Sequence, residues 1–497
     1  MKKNVSVMTV MFLVLGNIIG SGIFFKNQTI LSNTGSIVFS VVAWIIAIFA
    51  VFCICMCLGD IIKKTGYDNA LGYVGWMKSI CGTNIYKGFR NFMFWFYIPA
   101  SIVLLAYYAV MSLQDSLSVY FRDKCVLPWW SVALICLVIF AYFQYMATIN
   151  KKVSLVQNYW LTFAKFIPIL FAIFGGIFFF AYTGEAQNTV LNNSAPFSLT
   201  AFSPQTFGVI ASIPAIFFAF DGFYNAGAVY GDMKEPKKFS MALSLGVALT
   251  GVIYLLISIG MLLGAPGGAI TGWFDILTSG PGKVLLFIIL FLIFVAIVAI
   301  VNGLAIYADV FCYDVIKNDN NKFNAWLKKK VNIDDAKKFA LTLLIFESII
   351  FVVFTAIGAF YYRGVYQGVY YDNTTSGIYS FCDLAGNWTS LLVFFGIGLT
   401  ILFGLIKKVY ESKKNVAFGI IAVSLVFLGT FYQVADSLTD LIAAIVFQTQ
   451  HSGTDPSEYL IPSILKFATL VALTLVCFGP SIKAKCLPIR NLLSLRK

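Results

Sequence analysis

The sequence predicts an all-α membrane protein of twelve transmembrane helices, and three observations carry that prediction. Of its 497 residues 60% are hydrophobic and 11% charged, and the mean hydropathy of +0.86 lies far outside the range of soluble globular domains. Apolar windows of about 20 residues, the length that crosses a bilayer core, fall at 5–30, 36–59, 90–117, 129–148, 157–183, 205–230, 239–264, 283–312, 339–363, 386–406, 415–445 and 460–480. Basic residues alternate between connections. Both termini and the connections starting at Asp60, Ile149, Gly231, Tyr313 and Lys407 hold 28 Lys and Arg, against five (Lys26, Arg122, Lys124, Lys283 and Arg363) on the other face. Lys165 and Lys466 complete the count and lie within spans. Such a bias puts both termini in the cytoplasm and accounts for most of the +13 net charge as topology, so a nucleic-acid partner is excluded.

The first span follows Met1-Lys2-Lys3 with no small-residue cleavage site, so no cleaved signal is expected. Its centre, Leu15-Gly16-Asn17-Ile18-Ile19-Gly20-Ser21-Gly22-Ile23-Phe24, places glycines and a serine at membrane depth. A break there is tolerated only where the freed backbone lines a cavity or a ligand. Gly20, Ser21 and Gly22 remove side-chain bulk, and a half-helix starting near Ile23 would aim its positive end at an anionic group such as a carboxylate. Gly16 and Gly20 also have the spacing of a helix-packing face, which stays open as the alternative.

The second span carries Cys53, Cys55 and Cys57, small core residues with no histidine or carboxylate cluster beside them, so no metal site is expected. Pro99 and Ser101 are expected to bend the third span and satisfy the bend. The outer connections 183–204 and 364–385 are polar and rich in Asn, Thr, Ser and Gly, as solvent loops should be. Cys125 and Cys382 fall in predicted outer loops, which leaves a disulfide open. Lys165 lies about two turns into the fifth span, where a lysine must be paired, hydrogen-bonded or snorkelling.

The sixth span contains a second interruption, Ile213-Pro214-Ala215-Ile216-Phe217-Phe218-Ala219-Phe220-Asp221-Gly222-Phe223-Tyr224-Asn225-Ala226-Gly227. Asp221 is a carboxylate inside the membrane and hence a functional candidate. With breaks in spans one and six, spans one to five and six to ten would be halves of opposite orientation, leaving two added helices. In residues, 1–183 and 205–406 would be the repeats and 415–480 the accessory helices of one transmembrane domain, 1–497. Asn302 and Gly303 in the eighth span are placed near the pathway, Glu347 in the ninth is expected to pair or reach an interface, and the basic segment 317–338 reads as a solvated loop able to touch anionic lipid.

Residues 16–24, Phe217 to Tyr224, and Gly231-Asp232-Met233-Lys234-Glu235-Pro236-Lys237-Lys238 together resemble the signatures of the amino acid, polyamine and organocation transporter superfamily, most similar to its bacterial L-amino acid exchangers. The resemblance implies a LeuT-like 5+5 inverted repeat with two additional C-terminal helices. It also implies a secondary amino acid transporter, as exchanger or proton-coupled symporter; the abundance of Lys, Asn, Ile and Phe points to a bacterial chain and hence to the plasma membrane. By position, Ile19, Gly20, Ser21 and Gly22 match the segment that binds the α-carboxylate, and carbonyls near Phe217, Ala219 and Phe220 match the acceptors of the α-ammonium. Phe218 matches the aromatic that closes over substrate. Tyr224 stands where some cationic exchangers carry a glutamate, which points to neutral or apolar amino acids as substrates. Asp221 would contact the ammonium or hold backbone amides away from it. Lys165 matches the lysine that takes the place of sodium in sodium-coupled relatives, either cycling a proton or acting as a permanent cation.

No catalytic set is present: the only histidine is His451, and no phosphate loop or zinc signature occurs. No cofactor is expected. The partners expected are an amino acid, the lipid bilayer and, in a symporter, protons. A cationic amino acid or polyamine transporter of the same fold, or a membrane amino acid sensor that does not transport, are the alternative readings; the oligomeric state is left open.

Overall fold

The computed structural model describes residues 6–65, 72–121, 127–184, 188, 204–274, 276–277, 280–318, 322–361, 371–450, 456 and 459–494. The side chains of residues 21, 204–206, 228–232, 322–323 and 484–494 are outside that description.

Eleven described helices are long and apolar enough to cross a membrane, and a bent pair at the N-terminus makes twelve. The pair is α1 (Val7–Ile18) and α2 (Ser21–Thr34), set at 55°. α1 is capped by Ser6, whose hydroxyl accepts the Thr9 amide at 3.1 Å. It stops because Ile19 turns extended, so that Gly20 caps α2.

The second span is α3 (Ile37–Thr65), followed by a short helix α4 (Tyr73–Cys81). The third span runs from α5 (Thr83–Phe92) through a π-helical turn at Met93–Tyr97 into α6 (Ile98–Ser118). The widened turn sits immediately before Pro99, whose missing amide removes a ladder bond there. α7 (Trp129–Ile149) is the fourth span, and the fifth is α8 (Lys151–Ala164) with α9 (Phe166–Thr183), divided at Lys165.

α10 (Pro204–Phe220) passes unbroken through Pro214 and ends just before Asp221 and Gly222. Gly222 has φ +93°, a conformation that favours glycine, and the chain continues as 3-10 helix over Phe223–Asp232. The break is thus confined to two residues of the predicted stretch. Spans seven to twelve are α11 (Phe239–Gly264), α12 (Gly280–Asn318), α14 (Ala336–Phe360), α15 (Asn373–Ile406), α16 (Lys413–Gln450) and α17 (Leu460–Ser494).

Three expectations need correction. The basic segment 317–338 contains a helix, α13 (Lys322–Val331). The connection 364–385 is not a loop beyond residue 372: α15 starts at Asn373, capped by Asp372, which accepts the Thr375 amide at 2.6 Å. Its polar residues Thr375, Ser376, Ser380 and Asp383 turn into the bundle, where all are buried, so a polar sequence marks an inward helical face. Lys26, counted with the outer connections, is 0% exposed inside α2. Cys382 is likewise buried in α15, and Cys125 lies outside the described residues, as does His451. The bundle brings α10 against α2, α11 against α1 and α12 against α6, so that the two breaks face each other across the centre.

Candidate binding site at the two helix breaks

The two breaks touch. A side chain on Gly22 would put its Cβ 2.6 Å from Cα of Ala219, so only glycine permits this approach of α2 to α10. Beside the contact lies a cavity of about 100 Å³. One wall comes from the breaks: Gly16, Asn17, Ile18, Gly20 and Gly22 from the first, and Phe218, Ala219, Asp221, Gly222 and Asn225 from the second. The opposite wall is Tyr97, Ser101, Leu104 and Leu105 of the third span, Ile300, Gly303, Leu304 and Tyr307 of α12, and Thr389 and Ser390 of α15.

A broken helix leaves orphan carbonyls on one half and orphan amides on the other. Two side chains from other spans take the carbonyls of α1. The Lys165 ammonium, 3% exposed, donates to the Gly16 oxygen at 3.1 Å and to the Ile19 oxygen at 3.3 Å. The Tyr254 hydroxyl of α11 lies 2.7 Å from the Ile18 oxygen and 3.1 Å from the Ala219 oxygen, and so bridges both breaks. The first turn of α2 keeps its own donors, beside the cavity wall at Gly20 and Gly22.

Asp221 holds the second break. Its carboxylate accepts from the Tyr97 hydroxyl at 2.8 Å, the Tyr224 hydroxyl at 2.8 Å, the Ser390 hydroxyl at 2.6 Å and the Gly222 amide at 2.9 Å. The Tyr224 hydroxyl also lies 2.6 Å from that of Tyr97, so its single proton is shared between Asp221 and Tyr97. These donors come from three different spans and give a carboxylate at membrane depth the partners it requires.

One and a half turns into α2, Lys26 donates to Asp383 at 2.5 Å and to the Asn387 side-chain oxygen at 2.8 Å. The Tyr108 hydroxyl donates to the same Asp383 oxygen at 2.7 Å, and the Lys26 ammonium rests 4.5 Å from the centroid of the Phe218 ring.

Of the residues singled out from sequence, Gly20, Gly22, Phe218, Ala219 and Asp221 line the cavity. Ile19 lies behind it with its carbonyl on Lys165. Phe217 stacks on Phe394 with centroids 4.3 Å apart, and Phe220 meets the edge of Tyr254, so both are packing residues here. Tyr224 is fully buried behind Asp221 and is absent from the cavity wall. The Ser21 side chain lies outside the described residues. Asn302 holds Ser154 of α8 by two bonds, at 2.5 and 2.9 Å, whereas its neighbour Gly303 reaches the cavity. One carboxyl oxygen of Glu347 is buried without a partner among the described residues. Sequence reasoning missed Tyr254, Lys26 and Asp383. A lone tyrosine in an apolar helix carries no local signal, and the two charges had been assigned to connections.

Residues 5–467 match the amino acid permease family. An uncharacterized protein of Mycoplasma pneumoniae is 28% identical over 452 residues, covering 83% of this chain and 79% of that one. The serine/threonine exchanger SteT of Bacillus subtilis is 26% identical over 272 residues, 53% of this chain and 55% of its own. The b(0,+)-type amino acid transporter 1 of Mus musculus is 24% identical over 278 residues, 52% of this chain and 51% of its own. The match thus spans about half the length of these two transporters. A crystal structure of a histidine-to-alanine mutant of the Eremococcus coleocola manganese transporter aligns over 95% of this chain and 93% of that one, with a TM-score of 0.52 at 13% identity, a likeness of fold alone.

Proposed function

This chain belongs to the amino acid permease family, and from that premise we propose that it is a secondary active amino acid transporter of the plasma membrane, working by alternating access. The observation that carries the proposal is the cavity between two touching helix breaks, with Tyr254 on a carbonyl of each. A free α-amino acid presents a carboxylate and an ammonium a few ångströms apart. The orphan amides of α2 near Gly20, Ser21 and Gly22 suit the carboxylate. The acceptors on the facing segment suit the ammonium: the carbonyls near Ala219, and the Asn225 side-chain oxygen, which is buried without a partner among the described residues. Phe218 closes over the bound molecule.

Asp221 is already engaged by four donors, which supports a structural duty for it and a neutral substrate in preference to a cationic one. The hydroxyls of Ser101, Tyr307 and Thr389 in the opposite wall suit a small polar side chain. Lys165 supplies a cation where α1 ends, so the cycle runs without sodium, as exchange or with a proton moved by that amine. Spans one to five and six to ten act as inverted halves, each opened by its broken helix. The basic bias of the connections supports cytoplasmic termini, with α2 and the start of α10 leading outward.

The test is uptake by purified protein in liposomes against serine, threonine, leucine and arginine, with internal amino acid, sodium and pH varied independently. Uptake stimulated by internal amino acid and indifferent to sodium is expected. Binding without flux would reassign the chain as a sensor, and a strict sodium requirement would remove Lys165 from its role.

A further inference from the structure

The connection between spans eight and nine carries a helix that takes no part in the central cavity. α13 is fixed to the end of α12 by two side chains: the Asn324 amide donates to the Val315 oxygen at 3.3 Å, and the Lys328 ammonium to the Lys317 oxygen at 2.7 Å. Both oxygens belong to the last turn of α12, whose carbonyls have no partner within their own helix. On this side Asn324 and Leu327 are 2% and 3% exposed. The other side presents Trp326, Lys329 and Lys330, at the i, i+3 and i+4 positions that share one helical face, and all three are exposed.

The acids of the same connection are engaged elsewhere. Asp334 accepts the Tyr313 hydroxyl at 2.9 Å, and Asp335 caps α14 through the Lys337 amide at 3.0 Å. Among the described residues no carboxylate pairs with Lys329 or Lys330. The depth of the face follows from α14. Its outward apolar side begins at Leu341 and continues through Ile345, Ile349 and Val352, so hydrocarbon starts about one turn beyond Lys337. α13 ends a few residues before α14 begins and touches it, which puts Trp326, Lys329 and Lys330 at the level of the lipid headgroups.

A helix turned to plain water is served by its lysines alone. An exposed indole beside two ammonium groups is the combination that suits a membrane surface, where the ring lies among the glycerol groups and the ammonium groups reach phosphate. We propose that this face of α13 docks on anionic phospholipid headgroups, with Lys329 and Lys330 on the phosphates and Trp326 in the layer beneath them. The leaflet is the one the connection faces, which the basic bias makes the cytoplasmic one. The unpaired lysines thereby find the counter-charge that the protein itself does not give them.

The experiment uses the full-length protein in phosphatidylcholine vesicles, either alone or with about a third phosphatidylglycerol, one of the lipids carrying bromine near the head end of its acyl chains as a contact quencher of indole fluorescence. The signal of Trp326 is the difference between wild type and Trp326→Phe. Brominated phosphatidylglycerol should remove at least half of that signal, and brominated phosphatidylcholine in vesicles without anionic lipid much less. Lys329→Gln combined with Lys330→Gln should reduce the quenching to the level seen without anionic lipid, whereas Lys329→Arg combined with Lys330→Arg keeps it. In wild type, KCl at about 1 M should weaken the quenching as the glutamines do, because exposed charges are then screened within about 3 Å. A Trp326 signal that no brominated lipid quenches overturns the proposal, since the face is then in water. Quenching that is equal with and without phosphatidylglycerol and indifferent to both the glutamines and salt also overturns it, since the ring then enters the bilayer without help from the charges. None of these outcomes involves uptake, so the transporter reading stands or falls separately.

Discussion

The Tyr254 hydroxyl stands between two broken helices, 2.7 Å from the Ile18 carbonyl oxygen and 3.1 Å from that of Ala219. It shares one proton between two acceptors that the breaks have released from their own ladders, and so couples the position of α1 to that of α10. Movement of either break changes the bond to the other.

Tyr254→Phe removes that shared proton and little else. Each buried acceptor left unmatched costs about 1–3 kcal/mol, so the melting temperature in detergent should fall by a few degrees. Uptake should drop at least about tenfold as the two segments lose their common reference. Unchanged uptake with an unchanged melt would show the bridge to be incidental.

Lys165→Met keeps an unbranched side chain one atom shorter and deletes the donor to the Gly16 and Ile19 oxygens. Uptake should fall to background, while replacing sodium by potassium leaves wild-type uptake unaltered. Lys165→Arg keeps a cation in a bulkier, planar form and should recover only part of the activity.

Asp221→Ala strands three hydroxyls and one amide. It should be the most destabilising of these substitutions, with Asp221→Asn intermediate because an amide oxygen still accepts. The readout is the order of thermal unfolding midpoints. A loss of arginine uptake alone, with the midpoint unmoved, would instead assign Asp221 to a cationic side chain.

Gly22→Ala brings a methyl to within 2.6 Å of the Ala219 Cα, a backbone atom that cannot yield without moving α10. Binding should be lost. Gly479→Ala in α17 meets nothing within 4 Å and should be neutral or stabilising by roughly 0.5–1 kcal/mol. Equal effects of the two would detach the close approach from function.

The parts legible in the sequence were those where a residue is odd for its surroundings. Glycines at Gly20, Gly22 and Gly222 announced breaks, and a lysine at Lys165 announced a backbone in need of a donor. Pro214 was misleading, since α10 runs through it and ends only at Phe220. The beginning of α15 was unreadable because Thr375, Ser376 and Ser380 look like a loop until neighbouring helices cover them. Tyr254, Lys26 and Asp383 gain their meaning from partners hundreds of positions away, and periodicity carries no information at that range. Tyr224, singled out from sequence, faces Asp221 and Tyr97 and does not line the cavity.

The interrupted first helix also sets terms for how the protein is made. α1 and α2 leave the ribosome before the side chains that quench their loose carbonyls, which arrive with Lys165 and Tyr254, and the acid that neutralises Lys26 arrives only with Asp383. Placed among lipid tails before then, these helices would expose unpaired peptide groups and an unpaired charge, which hydrocarbon does not accept. Membrane insertion of this chain must therefore shelter α1 and α2 until later spans are delivered, and fragments ending before α15 should be captured by quality-control proteases rather than accumulate.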